Sequence, residues 1–327
     1  MTRLAIPEPK EQVLPVAENL CKALLLIALL CASFYGADRV AAALDATSAL
    51  SPAAAMALKW GWVAPLAVAD GVILIGMSVL AHDAVHRVLF RSAFWNELWG
   101  GLLSALALIP FHANRQFHLT HHGYAHQPGL DPENAMHHHS FAYAATVGSV
   151  VGLKEQYRLL FANLRRPGDP RCAARALKDA GFMIFAAAIY FVLPPLLGVS
   201  LAVTVVPMIL VFPLVFAFRA LSDHYGIPPI VRETRKREDL FDADERTWPA
   251  DREHRQREVS GWVVLTSPWL EWLWSHVNYH EAHHKYPYLS HRYLPQVFAA
   301  TQAQHPYLVV RGYWRSLLNL RKRGYYG

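Results

Sequence analysis

Charge is scarce in this chain. Of its 327 residues only 17% are Asp, Glu, Lys or Arg, against about 25% in an ordinary soluble domain, while 54% are hydrophobic. The same figures exclude intrinsic disorder, since an unfolded chain is one with too little apolar surface to bury. Cysteine is scarcer still, with Cys21, Cys31 and Cys172 widely spaced. That spacing excludes a disulfide scaffold, a Cys-x-x-Cys redox pair and a thiolate zinc site. What the chain has in excess is histidine, 18 copies beside 25 acidic residues. An apolar chain rich in histidine reads as a membrane protein that holds metal.

A membrane span takes about 20 mainly apolar residues to cross roughly 30 Å of hydrocarbon. From Gly181 to Phe218 there is no charged residue, a length suited to two spans. Pro194-Pro195 and Gly198 supply the turn between them. Trp60 to Ala81 is interrupted only by Asp70, and the stretch from Lys22 to Leu44 has an uncharged centre from Ala23 to Ala37. The pattern predicts an all-α polytopic membrane protein: one domain over residues 1–327, spans at about 22–44, 60–81, 181–197 and 200–221, and a cytoplasmic helical cap. Two shorter apolar runs, Trp99–Phe111 and Gly261–Trp274, read as re-entrant or interfacial helices. Their tryptophans (Trp99, Trp262, Trp269, Trp272, Trp274) and Trp95 suit the headgroup level. The first 20 residues carry acidic and proline positions and do not read as a cleaved signal peptide.

Basic residues crowd Lys154–Lys178, Arg232–Arg257 and Arg321-Lys322-Arg323, whereas the loops at 45–59 and 195–200 carry only Lys59. The positive-inside rule then predicts cytoplasmic termini. The net charge of +6 is accounted for by orientation and calls for no nucleic acid.

Three histidine clusters stand out: His82-Asp-Ala-Val-His86, His118-Leu-Thr-His121-His122 and His280-Glu-Ala-His283-His284. Spacings of three and four put side chains on one helical face, about 5–6 Å apart at Cβ, as a metal requires of neighbouring imidazoles. All three fall on the cytoplasmic side of a topology that was set by Lys and Arg alone. One His-x-x-x-His is ordinarily a surface pair; three clusters together read as metal. Eight histidines exceed what one ion takes, so two ions are expected, with the element left open because imidazole suits Zn, Cu, Fe and Ni.

These boxes resemble those of the membrane fatty acid desaturase and hydroxylase superfamily. The likeness extends to Asp131-Pro-Glu133, to Asn278-Tyr-His280 through Pro287, and to Arg219-Ala-Leu-Ser-Asp-His224 at the end of the fourth span. It covers roughly Trp60 to Pro295. The resemblance implies a non-haem di-iron centre on His82, His86, His118, His121, His122, His224, His280, His283 and His284, with O2 as co-substrate. Asp83, Asp223, His276, Asn278 and Glu281 stand beside these positions as candidates for orienting the imidazoles. The run His137-His138-His139 is read as a polar loop and left out. The first box has His-x-x-x-His spacing, the third begins with histidine rather than glutamine, and no haem motif of a fused cytochrome b5 occurs. Electrons would therefore come from a separate protein such as a ferredoxin with its reductase.

A lipid chain offers only unactivated C–H bonds, which acid–base groups cannot deprotonate; breaking them takes an oxidant made from O2 at metal. Desaturation of a fatty acyl chain is the expected outcome. Hydroxylation or ketolation of a lipid or carotenoid, and decarboxylation to an alkene, are alternatives on the same scaffold. From another class, His280-Glu281-Ala-His283-His284 also spells the His-Glu-x-x-His of a zinc peptidase, with Glu281 as base. That reading leaves the upstream boxes unexplained.

Overall fold

The computed structural model describes residues 6–166, 169–230 and 258–323. The basic stretch Arg232–Arg257 lies outside the described residues. Four long helices dominate: α1 (Val16–Ala46), α2 (Pro52–Val85), α8 (Pro170–Phe191, continued by the short α9, Leu193–Leu196) and α10 (Val205–His224). Each is long and apolar enough to cross a membrane. Between α2 and α8 lie α3 (Ala93–Leu106), α4 (Phe111–Tyr124), α5 (Asn134–His137), α6 (Phe141–Tyr143) and α7 (Ser149–Leu164). After α10 come β1 (Trp262–Leu265), α11 (Pro268–Leu273), α12 (His280–Lys285), α13 (Leu294–Thr301), β2 (Leu308–Arg311) and α14 (Tyr313–Arg323).

Local chemistry sets the ends of these helices. Ser51 caps α2, its Oγ accepting from the Ala54 amide at 3.3 Å, with Pro52 at the first helical position, where its missing N–H costs nothing. Asp169 caps α8 through the amides of Arg171 and Cys172. At 34 residues, α2 runs about 51 Å at 1.5 Å per residue. That exceeds the hydrocarbon thickness by several turns, and its last turns carry the first histidine box clear of the apolar span.

The core is where α1, α2 and α10 meet, around Leu26, Leu74, Met77 and Met208, all without solvent exposure. Outward-facing Leu24, Leu29, Ile184, Leu196, Leu210 and Leu214 remain exposed. A water-soluble protein rarely leaves so many large apolar side chains bare on adjoining helices; lipid is their natural solvent. The fold is that of an all-α polytopic membrane protein.

Close helix approach positions the second box against the first. A Cβ at Gly100 of α3 would lie 2.4 Å from the Phe111 ring and 2.7 Å from Ala84 Cβ, and one at Gly101 would lie 2.2 Å from Phe182. Only glycine lets α3 seat against α2, α4 and α8 at once.

Two expectations need correction. Gly261–Trp274 is not one interfacial helix: Trp262–Leu265 is a strand, paired in parallel with Leu308–Arg311, and only Pro268–Leu273 is helical. The Val263-Val264 and Val309-Val310 pairs give both segments β-branched residues that pack well in a ladder. Nor do all the tryptophans line the headgroup level. Trp262 and Trp274 are buried, their Nε1 atoms donating to the carbonyls of Tyr225 at 3.0 Å and Val72 at 3.1 Å. Trp95 and Trp269 are exposed.

Candidate metal centre

Three kinds of segment bring the histidines together. His82 sits in the last turn of α2 and His86 at its C-cap. His118, His121 and His122 share α4, and His280, His283 and His284 share the single-and-a-half-turn α12. His224 ends α10. All nine rings point their Nε2 atoms into one buried space and fall into two adjoining groups. In the first, ring nitrogens of His82, His86, His118, His122 and His283 all lie within 4.8 Å of one another; in the second, those of His121, His224 and His284 do. His280 joins the second, its Nε2 lying 2.8 Å from that of His224 and 3.2 Å from that of His284. The His122 and His284 rings stack at 4.2 Å between centroids, where the groups meet.

These contacts do not make a hydrogen-bond network that satisfies itself. His118 Nε2 lies 2.9 Å from His82 Nε2, 3.0 Å from His86 Nε2 and 2.9 Å from His122 Nε2. One neutral ring nitrogen donates or accepts a single bond, so three such approaches leave lone pairs facing lone pairs. A metal bound to imidazole at about 2.0–2.1 Å holds neighbouring ligand nitrogens roughly 3.0–3.4 Å apart. The observed separations of 2.8 to 3.3 Å are close to that range, and the donor set fits a cation.

Protonation agrees for most of the set. Burial, reinforced by neighbouring rings, holds His122, His280, His283 and His284 well below the usual histidine range. Burial does the same for His86, with His118 and Arg115 adding to it. They are neutral, the form that ligates. His121 differs: burial lowers it, but Asp131 and Glu133 outweigh burial and raise it to about 9.

Carboxylates surround the rings and engage particular ring nitrogens. Asp131 accepts from His121 Nδ1, with oxygens at 2.9 and 3.0 Å, and from the amides of His126 and Glu133. With Nδ1 as the donor to Asp131, Nε2 is the nitrogen that faces inward, where a cation would take the place of its proton. Glu133 reaches ring nitrogens of both groups, 3.6 Å from His118, 3.8 Å from His224 and 3.9 Å from His121. Burial would raise this carboxyl, yet His121 and the other surrounding imidazoles drive it well below its ordinary value. His224 Nδ1 donates to the Ser260 carbonyl at 2.9 Å, and the Ser260 amide donates to Glu281 at 2.7 Å. The motif Asp131-Pro-Glu133 was visible in the sequence; its contacts were not.

The five candidate orienting residues fare differently. Glu281 acts on His224 through Ser260. Asp223 lies 4.0 Å from His280 Nδ1 and 2.8 Å from Arg219. Asp83 bonds His291 Nδ1 instead of a box ring. His276 stacks on His291 and belongs to neither group. Asn278 donates to the Val264 carbonyl and to Glu271, and so holds β1. His137, set aside as part of a polar loop, is buried at the end of α5, 3.7 Å from Glu133.

The geometry speaks against the peptidase reading. A peptidase base must face water beside its metal, but Glu281 is 1% exposed and engaged by the Ser260 amide, His305 at 2.8 Å and Lys285 at 3.6 Å.

An apolar cavity of about 140 Å³ opens beside the rings, reaching His82, His118, His224 and His280 and walled by Val79, Phe117, Met136, Leu153, Phe212 and Phe216.

Comparison with known proteins agrees with this arrangement. The family model described as "Fatty acid desaturase" matches residues 47–315. Over 83 residues the chain is 39% identical to the dihydrorhizobitoxine desaturase of Bradyrhizobium elkanii. That alignment covers 24% of this chain and 23% of the relative's length. With the three boxes, the four long apolar helices and a family match over most of its length, the chain belongs to the fatty acid desaturase family.

Proposed function

We propose that this protein is a membrane-bound, oxygen-dependent oxidoreductase with a non-haem di-iron centre, which inserts a C=C bond into a lipid acyl chain. The observation that carries the reading is the convergence of two groups of histidine Nε2 atoms at the end of an apolar cavity. His82, His86, His118, His122 and His283 would hold one ion, and His121, His224, His280 and His284 the other. Two irons supply, with O2 and electrons, the oxidising power that an unactivated C–H bond demands.

The chain's own residues do the rest. Asp131 and the Ser260 carbonyl fix the His121 and His224 tautomers. Glu133, between the groups, offsets part of the charge that two cations bring into a buried site. The apolar wall of Val79, Phe117, Phe212 and Phe216 excludes water and straightens a hydrocarbon beside the rings. Electrons come from a separate acidic donor such as a ferredoxin with its reductase, met by basic residues such as the exposed Arg87 and Arg91 just beyond the first box. The reading keeps residues 1–327 as one domain, with boxes and termini on the cytoplasmic face by the positive-inside rule.

The test is lipid product analysis. The protein is expressed in a desaturase-deficient host with a ferredoxin and its reductase, and total fatty acids are profiled. A new monounsaturated acyl chain, lost in His283→Ala, supports desaturation. Hydroxylated, keto or terminal-alkene products would replace that reaction with another on the same centre, and an unchanged profile would count against a lipid acyl substrate.

A further inference from the structure

The cavity beside the histidines carries a polar subsite that a plain hydrocarbon leaves unsatisfied. Among its polar lining residues, Ser78 donates to the Leu74 carbonyl and Ser149 to that of Pro213, so both hydroxyls are occupied. The Gln156 carboxamide is not. Gln156 on α7 is 9% exposed, and its Oε1 is buried without a hydrogen-bond partner among the described residues. Asn114 on α4 lines the same cavity. It stands one turn before His118, about 6 Å along the helix at 1.5 Å per residue. Gln156 continues the cavity-facing stripe of α7 formed by Ser149, Gly152 and Leu153. A buried acceptor with no donor costs the full desolvation of that group. A cavity serving only an alkyl chain would place Leu or Met there.

The geometry points to a substrate that bears a hydrogen-bond donor close to the position oxidised: a chain with a hydroxyl, an amine or an amide N–H, held by Gln156 Oε1 and the Asn114 carboxamide. This rests on the function proposed above and narrows its substrate class from acyl chains in general to chains substituted with a polar group. Gln156 is on this account a specificity-determining residue, and it is not placed among the metal ligands.

The test is binding to the iron-loaded protein in nanodiscs, with radiolabelled decan-1-ol and decane as probes. Wild type, Gln156→Leu and Gln156→Met are compared, and iron per chain is measured on every sample. The expected result is that decan-1-ol binding weakens about tenfold in both variants, the worth of one hydrogen bond in a dry site, while decane binding holds or tightens. Both variants should also melt at or above the wild-type temperature, because the unpartnered acceptor is gone. Equal changes for both probes, or none, with full iron content overturn the subsite and leave the proposed function standing. Lower melting temperatures with unchanged probe selectivity give Gln156 a purely structural role and overturn it equally. Wild type without iron would instead count against the di-iron reading.

Discussion

Asp131 grips His121 with both carboxylate oxygens, at 2.9 and 3.0 Å from Nδ1, while the other nitrogen of the same ring stands 3.3 Å from His284 Nε2. One buried carboxylate thus decides which face of the imidazole is available to a cation. Asp131→Asn keeps the shape but allows the amide to present an N–H. Loss of such an orienting partner typically costs 10–100-fold in metal affinity. Iron retained against a graded chelator series should fall from about two per chain to about one in the variant, with helical content unchanged. Full retention would mean that packing alone orients His121.

Glu133 reaches both groups and, among the described residues, is the one carboxylate within 4 Å of His118, His121 and His224 together. Glu133→Gln preserves its volume and removes its charge. The expected outcome is an iron affinity lowered by about 10–100-fold, with the first and second irons both affected, since the charge lies between them. A variant in which only one iron weakens would assign Glu133 to that group alone.

His276 and Asn278 stand beside the third box in sequence, but His276 belongs to neither histidine group and Asn278 bonds Val264 and Glu271. His276→Ala should keep its iron and at least a third of wild-type product formation, whereas His283→Ala should lose both. Asn278→Ala should lower the melting temperature, because it frees the bonds to Val264 and Glu271, without changing iron content at low temperature. Loss of iron in His276→Ala would place that ring in the centre.

The helix carrying the second box is capped from afar. Asp179 of α8 accepts from the amides of His112 and Ala113 at 2.8 and 3.0 Å and from His112 Nδ1 at 2.8 Å, with Glu97 3.8 Å from His112 Nε2. Burial lowers His112, but bonds to Asp179 and Glu97 prevail and raise it above 6.5. A raised histidine gives stability in full below its unfolded value of about 6.5 and loses it as pH climbs through the folded one. Glu97, brought down to about 2 by its bond to His112 and by Lys178 against burial, gives stability above about 4.5 and loses it as pH falls toward 2. The contribution of this His112–Glu97 pair to the melting temperature should therefore be greatest between about pH 4.5 and 6.5 and decline on the alkaline side. His112→Asn should flatten that decline; parallel profiles would contradict the assignment.

Much of this molecule was legible in the sequence because its signals are periodic and additive. Uncharged stretches declare spans wherever they fold, and spacings of three and four put box residues on one face whatever the helix packs against. What escaped depends on contacts between distant segments. Asp131 and Glu133 lie in a visible motif, but only the turn at His126 (φ 58) and the packing of α4 turn them onto particular rings. His137 looks like part of a polar run, and it is the burial of α5 that brings it to Glu133. Trp262 and Trp274 carry the composition of an interfacial belt, but their N–H groups found buried carbonyls, and β1 formed because a partner strand lies 46 positions away. Asn278 sits two residues before a ligand in sequence, yet it precedes α12 and turns its carboxamide to Val264 and Glu271.

The most direct test of the central claim is elemental analysis of detergent-purified protein from iron-supplemented cells. The account predicts two irons per chain, with His118→Ala and His284→Ala each falling to one or fewer. A single zinc per chain, or no metal at all, would contradict it.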